Sequence, residues 1–210
     1  KSKIDRIYAD EIMKNVRKVA LDENQNENEV KSKNFIQALM DPKNNFSDDE
    51  IRDEINSLLL AGQETTAITM STVLLLLGIH KNVQDKVMIE LQQLLGSSAD
   101  VRDLTYELIN QMEYLEMIIN ESMRLFPVGS LAFRTVTEDF IVGGYTVPKG
   151  ANITIPIINL HRDKELWGDD AHEFRPERFE KENFSKIDPY AFIPFTSAVI
   201  HISKSCQTSF

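Results

Sequence analysis

A mainly α-helical protein with one small antiparallel β-sheet is predicted by two observations. Along most of the 210 residues, apolar side chains recur at helical spacing, with capping residues, glycine or proline at the segment ends. Over residues 132–157 the period switches to alternation rich in β-branched residues, broken by Gly143-Gly144 and Pro148-Lys149-Gly150 turns. The composition, 42% hydrophobic and 27% charged, is that of a globular chain long enough for one core.

Residues 1–21 read as a helix with Ile4, Ile7, Tyr8, Ile12, Val16 and Val19 near the helical period. Residues 22–34, rich in Asn, Glu and Lys with little to bury, predict a mobile acidic loop. A short helix over 35–40 halts near Asp41-Pro42, because the residue before a proline avoids the helical region. Ser47-Asp48-Asp49-Glu50 is a capping box, in which the hydroxyl caps the first amides and the carboxylate reaches back, so a long helix is expected over 47–80. Its apolar middle carries Gln63, Glu64 and six Ser/Thr residues within 57–79, and an acid at a bilayer centre costs about 2.5–3.5 kcal/mol. A buried core helix is therefore predicted in preference to a membrane span. Residues 82–95 predict an amphipathic helix closed by Gly96, and 103–126 a short helix and a longer one stopped by Pro127. After the sheet, residues 158–195 read as an irregular meander anchored by Trp167, Phe174, Phe179 and Phe184.

The net charge of −10 excludes the basic stripe that nucleic-acid binding requires, and no polybasic membrane patch is present. The single cysteine, Cys206, permits no internal disulfide. The chain opens on Lys1 without a signal segment or targeting motif, and is expected to be a piece of a longer protein.

Glu121 and Arg124, three residues apart, share one face of a helix that is otherwise largely apolar there. On spacing alone the pair reads as a solvated helix pair, because exposed pairs of this kind are common and worth little. On a solvated face it is worth about 0.2–0.5 kcal/mol, whereas breaking a buried pair costs about 3–5 kcal/mol. Arg178, in Pro176-Glu177-Arg178-Phe179, is a candidate second cation for the Glu121 carboxylate. Upstream, Ala61-Gly62-Gln63-Glu64-Thr65-Thr66 sets an acid and two hydroxyls inside a leucine-rich helix. Ala61, Glu64 and Thr65 fall on one helical face, and Gly62 leaves backbone uncovered beside them. A Thr hydroxyl bonded to the carbonyl four residues back bends a helix and makes room for a small ligand; a polar patch satisfied by neighbouring helices is the alternative, and the segment alone favours neither.

These three motifs, in this order and at these intervals, resemble the distal helix, Glu-Arg pair and meander of the cytochrome P450 family of haem-thiolate monooxygenases, most like its eukaryotic microsomal branch. The resemblance runs from about Phe35 to Phe195 and implies the C-terminal part of that fold. It further implies haem b with its iron, oxygen insertion from O₂ into a small apolar substrate, and electrons from NADPH through NADPH-cytochrome P450 reductase. The location implied is the endoplasmic reticulum membrane, reached through an N-terminal anchor missing from this piece. By the same resemblance Glu64 and Thr65 relay protons, Ala61 and Gly62 border the oxygen groove, and Arg134 meets a haem propionate. Glu121, Arg124 and Arg178 would form a structural triad beneath the haem. His161, a lone histidine in Asn159-Leu160-His161-Arg162, reads as structural and is left out of the site.

The resemblance breaks after about Thr196. The family's glycine-rich turn, arginine and ligand cysteine should follow, yet the ligand position is occupied by Ile202, and Cys206 stands four residues late. Without glycines a tight loop cannot present sulfur to iron, and no helix follows to lower the thiol pKa. The atypical tail, residues 196–210, is expected of a truncated or mis-spliced product. Two other readings stand beside the monooxygenase: a non-catalytic family member that binds no haem, and a helical scaffold unrelated to haem.

Overall fold

The computed structural model describes residues 3–23, 35–96 and 104–195. Nine α-helices are seen among them: α1 (Lys3–Glu23), α2 (Phe35–Leu39), α3 (Asp48–Ile79), α4 (Lys81–Leu95), α5 (Tyr106–Ile109), α6 (Glu113–Leu125), α7 (Ile157–Leu160), α8 (Lys164–Trp167) and α9 (Lys181–Phe184). The strands are β1 (Ala132–Thr135), β2 (Phe140–Val142), β3 (Tyr145–Val147) and β4 (Asn152–Ile155), and 3₁₀ turns occupy Pro42–Asn44 and Pro176–Phe179. The protein is thus mainly helical with small antiparallel sheets. The chain divides into two compact units, Lys1–Thr66 and Ala67–Phe210.

In the first unit, Ala9 and Met13, four residues apart on α1, bury against Ile51 and Ile55 of α3, with Ile36 and Leu39 of α2 partly covering them. Arg52 bridges α1 and α3 through Asp10 at 2.8 Å and also meets Asp49. The Ser47 hydroxyl accepts the Glu50 amide at 3.3 Å while the Glu50 carboxylate takes the Ser47 amide at 2.8 Å, which starts α3. α1 continues two residues into the predicted loop; residues 24–34 lie outside the described residues.

In the second unit, Val83 and Val87 of α4 pack on Ile118 of α6. α4 stops where Gly96, at φ 74°, turns its N–H onto the Gln92 carbonyl. α6 is held at both ends by charge of the sense its dipole favours. At its N-terminus the Glu90 carboxylate of α4 accepts the amides of Tyr114 and Leu115 at 2.6 and 3.0 Å. At its C-terminus the Arg162 guanidinium donates to the Leu125 carbonyl and lies 5.3 Å over the Phe126 ring. The meander core gathers Trp167, Ala171, Phe179 and Ala191, with Phe179 packed against Phe192 at 4.8 Å and Phe184 at 5.1 Å.

Two expectations need correction. The predicted single sheet is two separate antiparallel ribbons, β1 with β4 and β2 with β3. β2 and β3 close on Gly143 and Gly144, both at positive φ, as a tight hairpin turn demands. The outer ladder ends where Val136 donates to Ala151 and the Asp139 carboxylate takes the Lys149 amide, so the hairpin departs as its own ribbon. The second correction concerns α3, predicted to be buried. Leu58, Leu59, Leu60, Ile68, Met70, Leu74, Leu75 and Ile79 are exposed. Apolar periodicity records what a helix must hide and carries no information on whether a cover is present. By length and composition α3 also suffices to cross a membrane.

Candidate functional site

α6 brings Glu121 and Arg124 onto its buried face, and both are completely inaccessible to solvent. The pair is bidentate, with Arg124 Nε on Glu121 Oε2 at 2.6 Å and Nη2 on Oε1 at 2.8 Å. The remaining donors go to backbone carbonyls: Nη1 to His161 and Ala171 at 2.7 Å each, and Nη2 to Glu173 at 3.2 Å. Every N–H of the guanidinium therefore has an acceptor, the condition under which a buried charge is tolerated. The Trp167 ring covers its face at 4.9 Å, which adds a cation–π contact.

Arg178 joins more loosely. Its Nε lies 3.5 Å from Glu121 Oε1 without a hydrogen bond. Its other nitrogens donate to the Trp167 carbonyl at 2.8 Å and to Asp170, whose carboxyl the guanidinium holds below the usual carboxylate range. The closer third partner of Glu121 is the backbone amide of Arg175, donating to Oε1 at 2.9 Å. Nothing in the local pattern pointed to that amide, because it comes from a loop 54 residues downstream.

Around this centre lies a second polar layer that sequence reasoning missed. Glu177 accepts from Lys86 Nζ at 2.6 Å and from the Tyr114 hydroxyl at 2.9 Å, which links the Pro176–Phe179 turn to α4 and α6. Burial alone would raise the Glu177 carboxyl, but the bonds from Lys86, its own backbone and Tyr114 outweigh it and hold the group below its ordinary range. Burial, with Glu177 beside it, pushes the Tyr114 hydroxyl up. Glu90 performs the same service for α6. Glu90→Ala is expected to lower stability by about 1–2 kcal/mol through loss of the cap, measured as a fall in the urea midpoint.

The distal-helix residues stand apart from this centre in the chain. α3 runs unbroken through them, and the Thr65 hydroxyl donates to the Ala61 carbonyl at 2.7 Å. Glu64 is exposed, and a Cβ built on Gly62 meets nothing within 4 Å, so the backbone there is open. Arg134, half-buried on β1, donates to the neighbouring Phe133 carbonyl at 2.8 Å. Ile202 and Cys206 lie outside the described residues, and among those described no group of three His, Cys, Asp or Glu residues is placed to hold a metal. A cleft of about 630 Å³ opens at the C-terminal end of α6 between His80, Phe126, Arg162, His172 and Phe174; none of the residues predicted for chemistry lines it.

The cytochrome P450 family model matches residues 3–197. Cytochrome P450 3A2 of Rattus norvegicus is 39% identical over 170 residues, covering 77% of this chain and 33% of that protein. Cytochrome P450 3A17 of Cavia porcellus is 38% identical over 176 residues, 80% of this chain and 34% of its own length. Cytochrome P450 3A18 of Rattus norvegicus is 37% identical over 191 residues, 87% and 37% respectively. The chain thus spans about a third of the length of the curated relatives it matches. With a match over almost its whole length and a buried, fully saturated Glu121–Arg124 centre, the chain belongs to the cytochrome P450 family.

Proposed function

We propose that this chain is the distal-helix and core portion of a haem-dependent monooxygenase, which inserts one oxygen atom from O₂ into a small apolar organic substrate. The electrons come from NADPH through NADPH-cytochrome P450 reductase, and the whole protein works at the endoplasmic reticulum membrane. The observation that carries this reading is the Glu121–Arg124 pair. It is too costly to bury for its own sake and locks α6 to the segments carrying His161, Ala171 and Glu173. In this reading Glu121, Arg124 and Arg178 hold the core, and Arg134, which donates to the Phe133 carbonyl, would hold a haem propionate, a group that suits its planar fork. Ala61 and Gly62 leave the open backbone for a diatomic ligand. The Thr65 hydroxyl, oriented by its bond to Ala61, holds a proton that the exposed Glu64 carboxylate can replenish.

A second reading applies to the chain as it stands, on one specific observation. The donor set does not fit a thiolate-bound haem: the family's ligand position is Ile202, the lone Cys206 falls four residues beyond it, and none of residues 196–205 is glycine. An alkyl side chain cannot replace the sulfur. The distal residues and the buried core thus persist beside a lost ligand, and no step through haem is assigned to these residues.

Optical spectra of the reduced protein with haem and carbon monoxide separate the readings. The expected result for this chain is no thiolate-type, red-shifted Soret band. Appearance of that band would refute the second reading and make Cys206 the ligand.

A further inference from the structure

His161 ends α7 and is completely buried. Each of its polar atoms but one has a defined task. Its N–H donates to the Ile157 carbonyl at 2.9 Å, and its carbonyl accepts Arg124 Nη1 at 2.7 Å. Its ring lies 5.3 Å from the Phe192 ring, and Nε2 accepts the backbone N–H of Ile193 at 2.9 Å. Nδ1 has no hydrogen-bond partner, although it is close enough to the Met123 and Arg124 backbone to sense it.

We propose that His161 is a positioning residue, a bolt that couples the buried Arg124 guanidinium to segment 191–195, the approach to the loop where the family carries its ligand. The coupling goes beyond the function proposed above and depends on no haem, since both of its ends lie within this chain.

The chemistry of the ring supports the assignment. A nitrogen that accepts from an amide bears no proton, so the neutral imidazole must be the Nδ1–H tautomer. That leaves a buried Nδ1–H whose approach to the Met123 and Arg124 backbone falls short of a well-formed hydrogen bond, an expense that a phenyl ring of similar shape would avoid. A phenyl ring would instead strand the Ile193 amide, in a core formed with Ala132 and Ile157. One poorly satisfied donor is thus accepted so that the segment's amide is held. Burial, with Arg124 adjacent, keeps the ring in the accepting state; Arg124 of α6 is the charged group that bears on it, while the facing Phe192 and Ile193 carry no charge.

The test uses the 210-residue chain labelled with ¹⁵N. Long-range imidazole spectra should show Nδ1 protonated and Nε2 bare, with no titration across about pH 5–8, where ordinary histidines change state. His161→Phe should speed exchange of the Ile193 amide about tenfold relative to the Phe126 amide of α6, the effect of one ordinary hydrogen bond. His161→Gln, which restores an acceptor, should recover most of that protection. A protonated Nε2, or an Ile193 amide equally protected in His161→Phe, overturns the proposal. If His161→Phe does not fold, the tautomer in the unsubstituted protein decides alone.

Discussion

Arg124→Ala is expected to destabilise the protein by about 3–5 kcal/mol, a large share of the total stability of an ordinary domain. The size follows from what the guanidinium leaves behind. Glu121 would remain as a fully buried carboxylate with only the Arg175 amide as a close donor, and the carbonyls of His161, Ala171 and Glu173 would each lose a partner. Arg178 compensates only in part: its Nη1 and Nη2 are committed to Trp167 and Asp170, which leaves Nε, 3.5 Å from Glu121 Oε1, as its one uncommitted donor. Trp167, the only tryptophan, lies 4.9 Å from the Arg124 guanidinium, so its emission reports directly on the centre. The variant should shift that emission to the red and give a much lower urea midpoint. Arg124→Lys should behave almost as badly, since an ammonium group has too few donors and no planar fork. A variant with native emission and an unchanged midpoint would show that the pair is dispensable.

Acidification should cost the protein about 3 kcal/mol between pH about 6.5 and about 4, before most carboxylates titrate. Burial of His161, opposed only in part by the Met123 and Arg124 backbone, lowers it to about 4. In the unfolded chain an imidazole titrates near 6.5. Between those limits the unfolded state binds the extra proton, so stability is complete above about 6.5, falls as pH drops, and stops responding to this group below about 4. The gap of about 2.5 pH units, at about 1.36 kcal/mol each, sets the amount. Asp170 and Glu177 are held below their ordinary values and act in the same direction, but at lower pH. Urea midpoints at intervals from pH 7.5 to 4.5 measure the slope, and His161→Gln should flatten it. A slope that persists in His161→Gln would assign the acid sensitivity elsewhere.

The parts of this molecule that were legible are those specified by near neighbours. Ser47 and Glu50 meet across a single turn, as do Glu121 and Arg124, so spacing alone brought each pair together, while the burial of Glu121 and Arg124 was not readable from it. Gly96 ends α4 because a positive φ is needed there, a demand readable from one residue. The ends of α6 illustrate what was not legible: Glu90 and Arg162 reach it from 24 and 37 residues away, and no local signal marks either. The five donors of Arg124 divide likewise, two to a residue three positions back and three to carbonyls 37 to 49 residues on. The ribbons escaped for a related reason, since strands of three or four residues hold too little pattern to say which neighbour they choose. Phe192 was passed over as an anchor, yet it touches His161, Trp167, Phe179 and Phe184, because aromatic packing depends on the whole chain path.

At about 1.5 Å per residue, the 32 residues of α3 amount to a rod roughly 48 Å long, along which Leu58, Leu59, Leu60, Leu74 and Leu75 stand uncovered. In a dilute aqueous buffer such a rod invites coalescence of one molecule with the next, and in a cell it offers chaperones and degradation machinery the greasy surface they recognise. Handling this 210-residue polypeptide is therefore a matter of detergents and low concentrations.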